Sequence, residues 1–402
     1  MLDIKITAYT VLGFATANCS IDFVWSQRQQ GANSYGQLGL GHTDDKITPQ
    51  KMPNLNFKPK WIGGGGGHSV FLDVYVAETG ELYACGWNNN GQLGLEHQDN
   101  VTRLQKLSLP IRMQKVACGW NHTIALSVEG KLYSWGSNAF GQLGHSPCSR
   151  GSIINTPTLI EDISDREFID TCAGLRHTHA VEACGQTWSW GACKKGQLGI
   201  GERMDIVEKP VLISTLRGIR VKKVVAGSYH SACLTECGEV FCWGSNRYGQ
   251  CTLADKTESL IPVKISSESC VNKCFIDIHS GWSHVVAVVE GGIVYSWGRC
   301  DYGQLGYTEL SDGDSKRYQQ EPACVPNLHD LRQIACGSEH NIVISDKCKL
   351  LSWGWNEHGM CGSGGEINVN KPASVVGVTD YNYTAILIGC GAGHTFAVIN
   401  CS

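Results

Sequence analysis

Seven histidines recur in one short motif and form the largest set of side chains in this chain that could do chemistry. The motif is G-x-x-H, and its copies end at His68, His122, His177, His230, His284, His340 and His394. Imidazole rings commonly bind metal ions. Metal ligands, however, converge on one point at tetrahedral spacing, whereas these histidines are spread evenly along the chain. We therefore predict structural histidines on inner strands, whose ring nitrogens satisfy neighbouring backbone groups, and no metal site.

A run of glycines at residues 63–67 could cradle a phosphate group. No Lys-Ser or Lys-Thr pair follows it and it does not open a helix, so we interpret it as the first G-x-x-H with additional flexibility. No Ser-His-Asp, paired-carboxylate or metal-ligand pattern stands apart from the repeated motif. The sequence predicts neither a cofactor nor covalent catalysis.

Two positions beside the repeated residues vary in charge and size. One directly precedes each repeat histidine, and the other lies in a glycine loop of the same repeat. The start of the first strand and the end of the second strand of an antiparallel hairpin share an edge, so we expect both positions on one face. The predicted partner-binding face contains Asn121, Arg176, Lys194, Tyr229, Arg247, Ser283, Asp301, Glu339 and Glu357. Its mixed charges favour a polar protein–protein interface, and ordinary variation of solvated loops is the alternative.

The elements that position these residues are copies of one repeat. Its loop begins at Gly31, Gly86, Gly136, Gly191, Gly244, Gly298 and Gly354, at spacings of 50 to 56 residues. Each copy joins G-x-x-H, a short turn, an alternating apolar strand such as residues 132–135, and a loop that usually ends in Gly-Gln-Leu-Gly. The following residues leave room for two more strands. The sequence therefore predicts an all-β fold, a seven-bladed β-propeller with four-stranded antiparallel blades.

Both ends of the chain contribute to the predicted ring. Residues 23–25 look like the second strand of a hairpin and residues 394–399 like the first strand of one. We expect these N- and C-terminal strands to pair and close one propeller of residues 21–400. Trp25 and Gly31 are separated by residues 26–30, whereas other copies have Trp or Cys directly before the glycine, which indicates a bulge or an error in the sequence. The fifth loop replaces the closing Leu-Gly by Cys251-Thr252.

Residues 1–20 form a separate N-terminal segment with two interpretations. Lys5 and the apolar residues 6–17 resemble a weak secretory signal. Asp3 and the cysteine pattern favour a frayed or incorrectly assigned start instead. The 20 cysteines contain no C-x-x-C pair, and many occupy small apolar strand positions, so we expect buried thiols in a reducing compartment.

The charge and hydropathy of the chain limit the classes of partner that it is expected to bind. The formal net charge is −4 and the basic residues are scattered, which disfavours nucleic acid and polybasic membrane binding. No apolar run reaches the roughly 18 residues that a spanning helix needs, so no integral membrane contact is expected.

Two linked motifs make the chain similar to a known family. The repeated W-G-x-N-x-x-G-Q-L-G and A-G-x-x-H resemble the regulator of chromosome condensation family of seven-bladed propellers over residues 21–400. Segments 31–42, 336–340 and 352–362 resemble in particular members that regulate secretion through guanine nucleotide exchange. In the last segment, Met360-Cys361 replaces the usual Gln-Leu.

The resemblance implies a cytoplasmic protein, with the nucleus as a second location, that engages a small GTPase or exocyst-type components of the secretory tethering machinery. It also implies an exchange-factor-type regulator without covalent chemistry. In the founding nuclear exchange factor, acidic or histidine side chains at the two variable positions face the GTPase. The matching positions here include Arg176, Tyr229, Ser283, Asp301 and Glu339, several of which are not acidic. The nearly uniform repeat spacing leaves little room for the additional wedge of that factor, so binding is expected and exchange catalysis stays open.

Three rival functions differ from this expectation. A scaffold would bind partners without exchange. A chromatin-bound exchange factor would need a basic tail, whereas Lys5 and Arg28 are the basic residues before residue 31. A light sensor would use tryptophans in G-W-R-H turns, but Trp120 and Trp282 occupy that slot without the arginine and in repeats that are not adjacent.

Overall fold

The structure is a computed structural model that describes residues 25–53, 57–73, 80–147, 152–254, 257–266, 270, 273–307, 317–378 and 383–401. The N-terminal segment 1–20 lies outside these residues. Over the described part, the chain forms seven four-stranded antiparallel sheets. No helix in this part is long and apolar enough to span a membrane.

The first fourteen strands run from the N-terminal pair into the third complete sheet. They are β1 (Trp25–Gly31), β2 (Lys46–Lys51), β3 (Pro59–Gly64), β4 (His68–Asp73), β5 (Glu81–Gly86), β6 (Val101–Lys106), β7 (Met113–Cys118), β8 (His122–Ser127), β9 (Leu132–Ser137), β10 (Ile153–Leu159), β11 (Phe168–Ala173), β12 (His177–Glu182), β13 (Thr187–Ala192) and β14 (Ile206–Leu212). Short 3-10 turns follow β10 and β14 at Glu161–Ile163 and Ser214–Leu216.

The other fourteen strands complete the ring. They are β15 (Val221–Ala226), β16 (His230–Thr235), β17 (Val240–Ser245), β18 (Glu258–Lys264), β19 (Phe275–Ser280), β20 (His284–Val289), β21 (Ile293–Arg299), β22 (Tyr318–His329), β23 (Gln333–Cys336), β24 (His340–Ile344), β25 (Leu350–Gly354), β26 (Val369–Ser374), β27 (Tyr383–Cys390) and β28 (His394–Cys401). Blades 1 to 6 are β3–β6, β7–β10, β11–β14, β15–β18, β19–β22 and β23–β26, and blade 7 combines β27, β28, β1 and β2.

Blade 7 confirms that the N- and C-terminal strands close the ring. Strand β1 pairs with β28 from Trp25 opposite Asn400 to Gly31 opposite His394, and the register does not shift. Residues 26–30, for which the sequence indicated a bulge or an error, pair regularly with β28, whereas the register of β1 against β2 shifts between Gln29 and Gly31. Of the predicted strand 23–25, residues 23 and 24 lie outside the described residues. The strand runs directly into Gly31, and Gln30 occupies the position that tryptophan holds in other blades.

The hydrophobic core lies between blades. Every residue of the second strand of blade 2, β8, is buried, because other blades cover this strand on both sides. One cluster joins Leu72 and Leu82 of blade 1 to Val116 and Trp135 of blade 2. Such a core requires neighbours, so a single blade cannot bury its own apolar surface.

The repeat histidines form a second, polar contact between blades. His122 Nε2 of blade 2 lies 3.1 Å from Thr178 Oγ1 of blade 3. That hydroxyl donates to the carbonyl of Gln142 in the glycine loop of blade 2, at 2.8 Å. Equivalent contacts of the histidine with the next blade, at 2.8 to 3.1 Å, are His394–Ser69, His68–Thr123, His177–Ser231, His284–Asn341 and His340–Thr395.

Tryptophans reach the same loop carbonyls. Trp190 Nε1 of blade 3 donates to the Gln142 carbonyl at 3.0 Å. The equivalent bonds, at 2.9 to 3.1 Å, are Trp135–Gln92, Trp243–Gln197, Trp297–Gln250 and Trp353–Gln304. In blade 7, Gln30 Nε2 donates to the Met360 carbonyl at 3.0 Å. The glutamine thus replaces the tryptophan as a hydrogen-bond donor.

These contacts correct one part of the histidine prediction. The histidines are structural, but each begins the second strand of its blade and not the innermost one, and Nε2 meets a side chain of the next blade instead of backbone in all six contacts above. Because the Thr178 hydroxyl donates to the loop carbonyl, it accepts from His122 Nε2–H. Burial lowers the pKa of His68, His122, His230, His340 and His394 to about 3. A Cβ on the motif glycine would overlap the ring, as at Gly119 and His122, which explains the glycine in G-x-x-H.

The first strands of the blades surround a central channel with paired charges. Lys115 of blade 2 pairs with Asp170 of blade 3, whose other oxygen accepts from the Val224 backbone N–H at 2.8 Å. Lys223 and Asp277 pair in the same way between blades 4 and 5, at 2.5 Å. These bridges link consecutive blades and leave the middle of the channel with balanced charge.

The cysteines agree with the expectation of buried thiols. All the cysteines that the structure describes in full are free, and many are buried. Burial raises the pKa of Cys118, Cys172 and Cys336 to about 12. Such thiols stay protonated at neutral pH and are poor nucleophiles.

Thr178→Val tests the contact between blades. The variant keeps the shape of the side chain but leaves the buried Nε2–H of His122 without an acceptor, so we expect the free energy of unfolding to fall by about 1 to 3 kcal/mol in urea denaturation. Val285 occupies the equivalent position in blade 5, where His230 bonds to Ser280 instead, at 3.1 Å. Val285→Thr is the matched control and should cost less. Equal losses in the two variants would contradict the role of the hydroxyl.

The neutral histidines predict destabilisation by mild acid. Their pKa values are lowered from 6.5 in the unfolded chain, so the unfolded state takes up protons first. The contribution of each neutral ring to the free energy of unfolding is fully present above the histidine pKa of the unfolded chain. As the pH drops below that pKa, the free energy of unfolding falls by up to about 1.4 kcal/mol per pH unit for each ring. Urea unfolding between about pH 7 and about pH 5 measures this slope. His340→Gln, which can still donate to Thr395, should make the slope shallower, and a midpoint independent of pH would refute the prediction.

Candidate partner-binding face

The glycine loops and the residues that precede the repeat histidines lie at one edge of every blade. Each hairpin closes there with a backbone bond, such as Trp87 N–H to the Gly67 carbonyl at 2.7 Å and Arg299 N–H to the Ser283 carbonyl at 3.0 Å. The structure therefore places the two variable positions on one side of the disc, as the hairpin argument predicted. We call this side the loop face.

Repeated polar residues fix the shape of each loop. In blade 2, Asn138 Oδ1 accepts from Leu143 N–H at 3.1 Å, and its Nδ2 donates to the His145 carbonyl at 3.0 Å. Gln142 Oε1 accepts from Phe140 N–H at 2.8 Å. The same asparagine and glutamine bonds recur in other loops. Variable side chains on the loop face therefore project from a frame that is already ordered, which lowers the entropic cost of binding.

The predicted face residues divide into three groups. Exposed side chains are Arg176, Lys194, Tyr229, Arg247 and Glu357. Asn121 and Asp301 are half-buried. Ser283 and Glu339 are buried, at 7% and 5% exposure. The exposed group can meet a partner directly, whereas the buried pair must act through its neighbours.

Glu339 lies at the centre of a polar cluster between blades 5 and 6. Its Oε2 accepts from Gln304 Nε2 at 2.7 Å, and its Oε1 lies 3.6 Å from Arg299 Nη1. Burial raises the pKa of the Glu339 carboxyl to about 7, although Arg299 and the hydrogen bonds from Gln304 and Ser283 oppose the shift. An arginine at this position would place a second guanidinium beside Arg299, so a charge reversal here would disturb folding as well as binding.

Arg299 is the functional candidate that the sequence prediction missed. Its Nε and Nη2 donate to Asp301 Oδ2 at 3.0 and 2.9 Å. The guanidinium carbon lies 5.0 Å from the ring centre of Tyr248 and 4.8 Å from that of Tyr302. We call Tyr248, Arg299, Asp301, Tyr302 and Glu339 the Arg299 cluster.

The missed signal was the position after each loop glycine. This position varies as much as the two that were considered, and it holds Ala32, Trp87, Ser137, Ala192, Ser245, Arg299 and Trp355. Its large members lie on the loop face: Trp87 stacks on Tyr35 with ring centres 5.1 Å apart. Trp355 lies 6.2 Å from the ring of Tyr302.

A groove on the same face lies between the loops of blades 2 and 3. Phe140, Lys194, Asp205 and Ile206 line it, and its volume is about 380 Å³. Arg176 covers Phe140, with its guanidinium carbon 4.2 Å from the ring centre. Lys194 lies 3.4 Å from Asp205. Arginine and aromatic side chains around a recess are typical of residues that contribute most to protein binding.

The middle of the loop face is covered by two tryptophans. Trp120 of blade 2 and Trp282 of blade 5 lie with ring centres 5.1 Å apart, tilted by 55°. Their blades are not adjacent, as expected, yet the side chains meet across the channel. Gly65, Gly119 and the equivalent turns line a cavity of about 110 Å³ beside them.

No group of three or more His, Cys, Asp or Glu residues in the described part of the chain could hold a metal ion. In the Arg299 cluster, burial raises the pKa of the Glu339 carboxyl, and Arg299 pairs with Asp301 and lies beside Glu339. This arrangement suits recognition of another protein's surface, in which charged and aromatic groups are presented without a reacting centre.

Comparison with known proteins gives the family. The model of the RCC1-like domain matches residues 28–397. The secretion-regulating guanine nucleotide exchange factor of Mus musculus is 40% identical over 401 residues, which cover 94% of this chain and 83% of the relative. The protein of the same name from Bos taurus is 40% identical over 94% of this chain and 82% of its own length. The ultraviolet-B receptor UVR8 of Arabidopsis thaliana is 33% identical over 84% of this chain and 74% of the receptor.

Solved structures agree on the fold. Prp20p of Saccharomyces cerevisiae, whose structure was described with its binding to Gsp1p and histones, superposes with a TM-score of 0.81 at 22% identity, over 95% of this chain and 93% of its own. Human WBSCR16 superposes with a TM-score of 0.82 at 21% identity, over 94% of this chain and 99% of its own. Repeat motifs, blade topology and sequence identity thus agree: this chain belongs to the RCC1-like domain family of seven-bladed propellers.

Proposed function

We propose that this chain is a guanine nucleotide exchange factor, or a propeller that binds a small GTPase, in a process linked to secretion. The observation that carries the proposal is the loop face, where exposed arginine, lysine and tyrosine side chains project from ordered loops. Two relatives that are 40% identical over 94% of the chain are named as secretion-regulating exchange factors. The proposed site of GTPase contact is the exposed set of Arg176, Lys194, Tyr229, Arg247 and Glu357, together with the Arg299 cluster.

Exchange would require no covalent chemistry. A propeller that binds the nucleotide-free GTPase more tightly than the loaded form lowers the affinity of the GTPase for its nucleotide by the same factor. The loop face can supply such differential binding through charge, because its cations and carboxylates can contact GTPase residues that nucleotide and Mg²⁺ otherwise hold. We propose on this basis a regulator and not an enzyme that makes or breaks bonds.

The Arg299 cluster would contribute orientation more than net charge. Arg299 is held by Asp301 and Glu339 and lies against two tyrosines, so its guanidinium has little freedom to lose on binding. Tyrosine and arginine are enriched among residues that dominate interface energies. Ser283 and Glu339, which are buried, would act as positioning residues for this group.

A non-catalytic scaffold is the second candidate, and the burial of Glu339 and Ser283 favours it. Where the sequence predicted an acidic contact with a GTPase, Glu339 is turned into the protein. Such a scaffold could bind exocyst-type secretory tethering components in place of a GTPase, or together with one. Whether the chain is an exchange factor or a scaffold, we propose that it acts in the cytoplasm, with the nucleus as a second location. A chromatin-bound exchange factor is less favoured than these two candidates because of the acidic net charge of −4.

The deciding experiment measures release of a fluorescent guanine nucleotide from a panel of purified small GTPases, with and without this protein. Pull-down of the same GTPases in nucleotide-free and loaded forms runs beside it. Faster release, with preferred capture of one nucleotide-free GTPase, would establish an exchange factor and its substrate. Capture without faster release would establish the scaffold. Neither capture nor release for any member of the panel would refute GTPase binding.

Arg176→Glu combined with Lys194→Glu tests the loop face. Both side chains are exposed, so folding should be unchanged, and the reversal should weaken capture of the GTPase about tenfold, which equals about 1.4 kcal/mol. The matched control is Arg217→Glu with Lys347→Glu, which reverses two exposed cations on the opposite face. Equal capture by both variants, at equal melting temperature, would contradict the assignment of the face.

A further inference from the structure

One residue near the start of each inner strand lies outside the regular pairing. In β7, Met113 pairs with Ser127 and Lys115 with Leu126, so Gln114 is a bulge. The same shift occurs in β3, β11, β15, β19 and β27. In blade 6, Arg332 precedes β23 at the equivalent position. The bulge ring, as we call these residues, consists of Lys60, Gln114, Ile169, Lys222, Ile276, Arg332 and Ile386.

The bulge ring surrounds the mouth of the central channel on the side opposite the loop face. Each inner strand ends at a G-x-x-H turn on the loop face, so its first residues lie at the other end. Every member of the ring is exposed. The exposed fractions of Ile169, Ile276 and Ile386 are 47%, 46% and 38%. A bulge needs no apolar side chain, so three exposed isoleucines at this one position indicate a surface that becomes covered.

Cations alternate with these isoleucines. Around the ring, Lys222 lies between Ile169 and Ile276. Arg332 lies between Ile276 and Ile386. Lys60 follows Ile386 and precedes Gln114. None of the three cations has a carboxylate within 4.0 Å among the described residues. Cations farther out on the same face do have one: Lys106 with Glu81, Arg220 with Glu236 and Lys264 with Glu239, at 2.6 to 2.7 Å. Arg332 Nε donates to the Asp346 carbonyl at 3.1 Å, which leaves its charge in place. Among the described residues, the charge of the ring is therefore not neutralised by a carboxylate in contact with it.

We propose that the bulge ring binds an acidic, amphipathic segment of a partner protein. Carboxylates of that segment pair with Lys60, Lys222 and Arg332, and its apolar side chains cover the isoleucines between them. The segment stays at the mouth, because the Lys115–Asp170 and Lys223–Asp277 bridges already balance the charge inside the channel. Contact of Trp120 with Trp282 narrows the other end.

The surroundings of the ring favour a narrow ligand over a flat one. Exposed carboxylates occupy the hairpin turns farther from the axis, at Glu129, Glu290 and Asp346. An anionic membrane or a nucleic acid that reached the ring would also meet these carboxylates, whereas a single peptide strand would not. Three cations are also few for a nucleic acid, since such proteins commonly contact about 6 to 10 phosphates.

The test uses a fluorescein-labelled peptide in which Glu alternates with Leu, titrated with the whole protein at low salt. The proposal expects binding that weakens as salt is added. Matched peptides in which Lys alternates with Leu, or Glu with Ser, should bind more weakly, since the first carries the opposite charge and the second lacks the apolar side chains.

Variants locate the site. Lys60→Glu, Lys222→Glu and Arg332→Glu together should weaken binding of the Glu-Leu peptide at least about tenfold. Ile169→Ser, Ile276→Ser and Ile386→Ser together should weaken it as well. The control is Lys106→Glu, Arg220→Glu and Lys264→Glu, which changes the net charge of the same face equally and should bind like the natural protein. Unchanged melting temperatures and unchanged partner capture by the loop face show that the variants are folded.

Several outcomes would overturn the proposal. These are no binding of the Glu-Leu peptide, equal weakening in the ring variant and its control, or full binding by both ring variants. Phosphatidylcholine vesicles that contain phosphatidylserine provide the last comparison. Vesicle binding that depends on the ring, without peptide binding, would identify a membrane surface and refute the peptide.

Discussion

One backbone carbonyl in each glycine loop holds the propeller together and shapes its binding surface. The Gln142 carbonyl of blade 2 accepts from Thr178 and from Trp190 of blade 3, and the hydroxyl of Thr178 also meets His122. The loop that displays variable side chains to a partner is therefore the loop that binds the next blade. A change in the angle between two blades would move the loop face as well, so stability of the ring and precision of the site have a common origin.

Irregular repeats show which part of this contact is required. Gln30 replaces a tryptophan and still donates to a loop carbonyl. Met360 replaces a glutamine, but its backbone oxygen accepts the same bonds. Val285 lacks a hydroxyl, and His230 turns to Ser280. The chain thus preserves the bonding of buried polar groups while side-chain identities change, because an unpaired buried donor costs more than an unusual residue.

The sequence predicted the propeller, its closure and the common face of the variable positions because all three follow from local periodicity and hairpin pairing. It did not predict the burial of Glu339, which depends on Gln304 and Arg299 of another blade. It likewise missed the contact of Trp120 with Trp282, since the distance across a ring cannot be read from spacing along the chain. Residues 26–30 were not predicted as a strand because Gln30 is polar and stands where other repeats have Trp or Cys, although Gln30 makes the hydrogen bond to the loop carbonyl that tryptophan makes elsewhere.

Blade 7 combines the first and the last described strands, and this affects how the chain folds during synthesis. Strands β1 and β2 leave the ribosome first among the described strands, and their partners β27 and β28 leave it last. During synthesis the exposed edge of β1 could pair with another nascent chain, and such edges promote aggregation. Lys46 and Lys51 at the two ends of β2 and Arg28 within β1 place positive charges on this waiting hairpin. Like charges on neighbouring nascent chains repel one another, which would keep the hairpin available until its own C-terminal partner arrives.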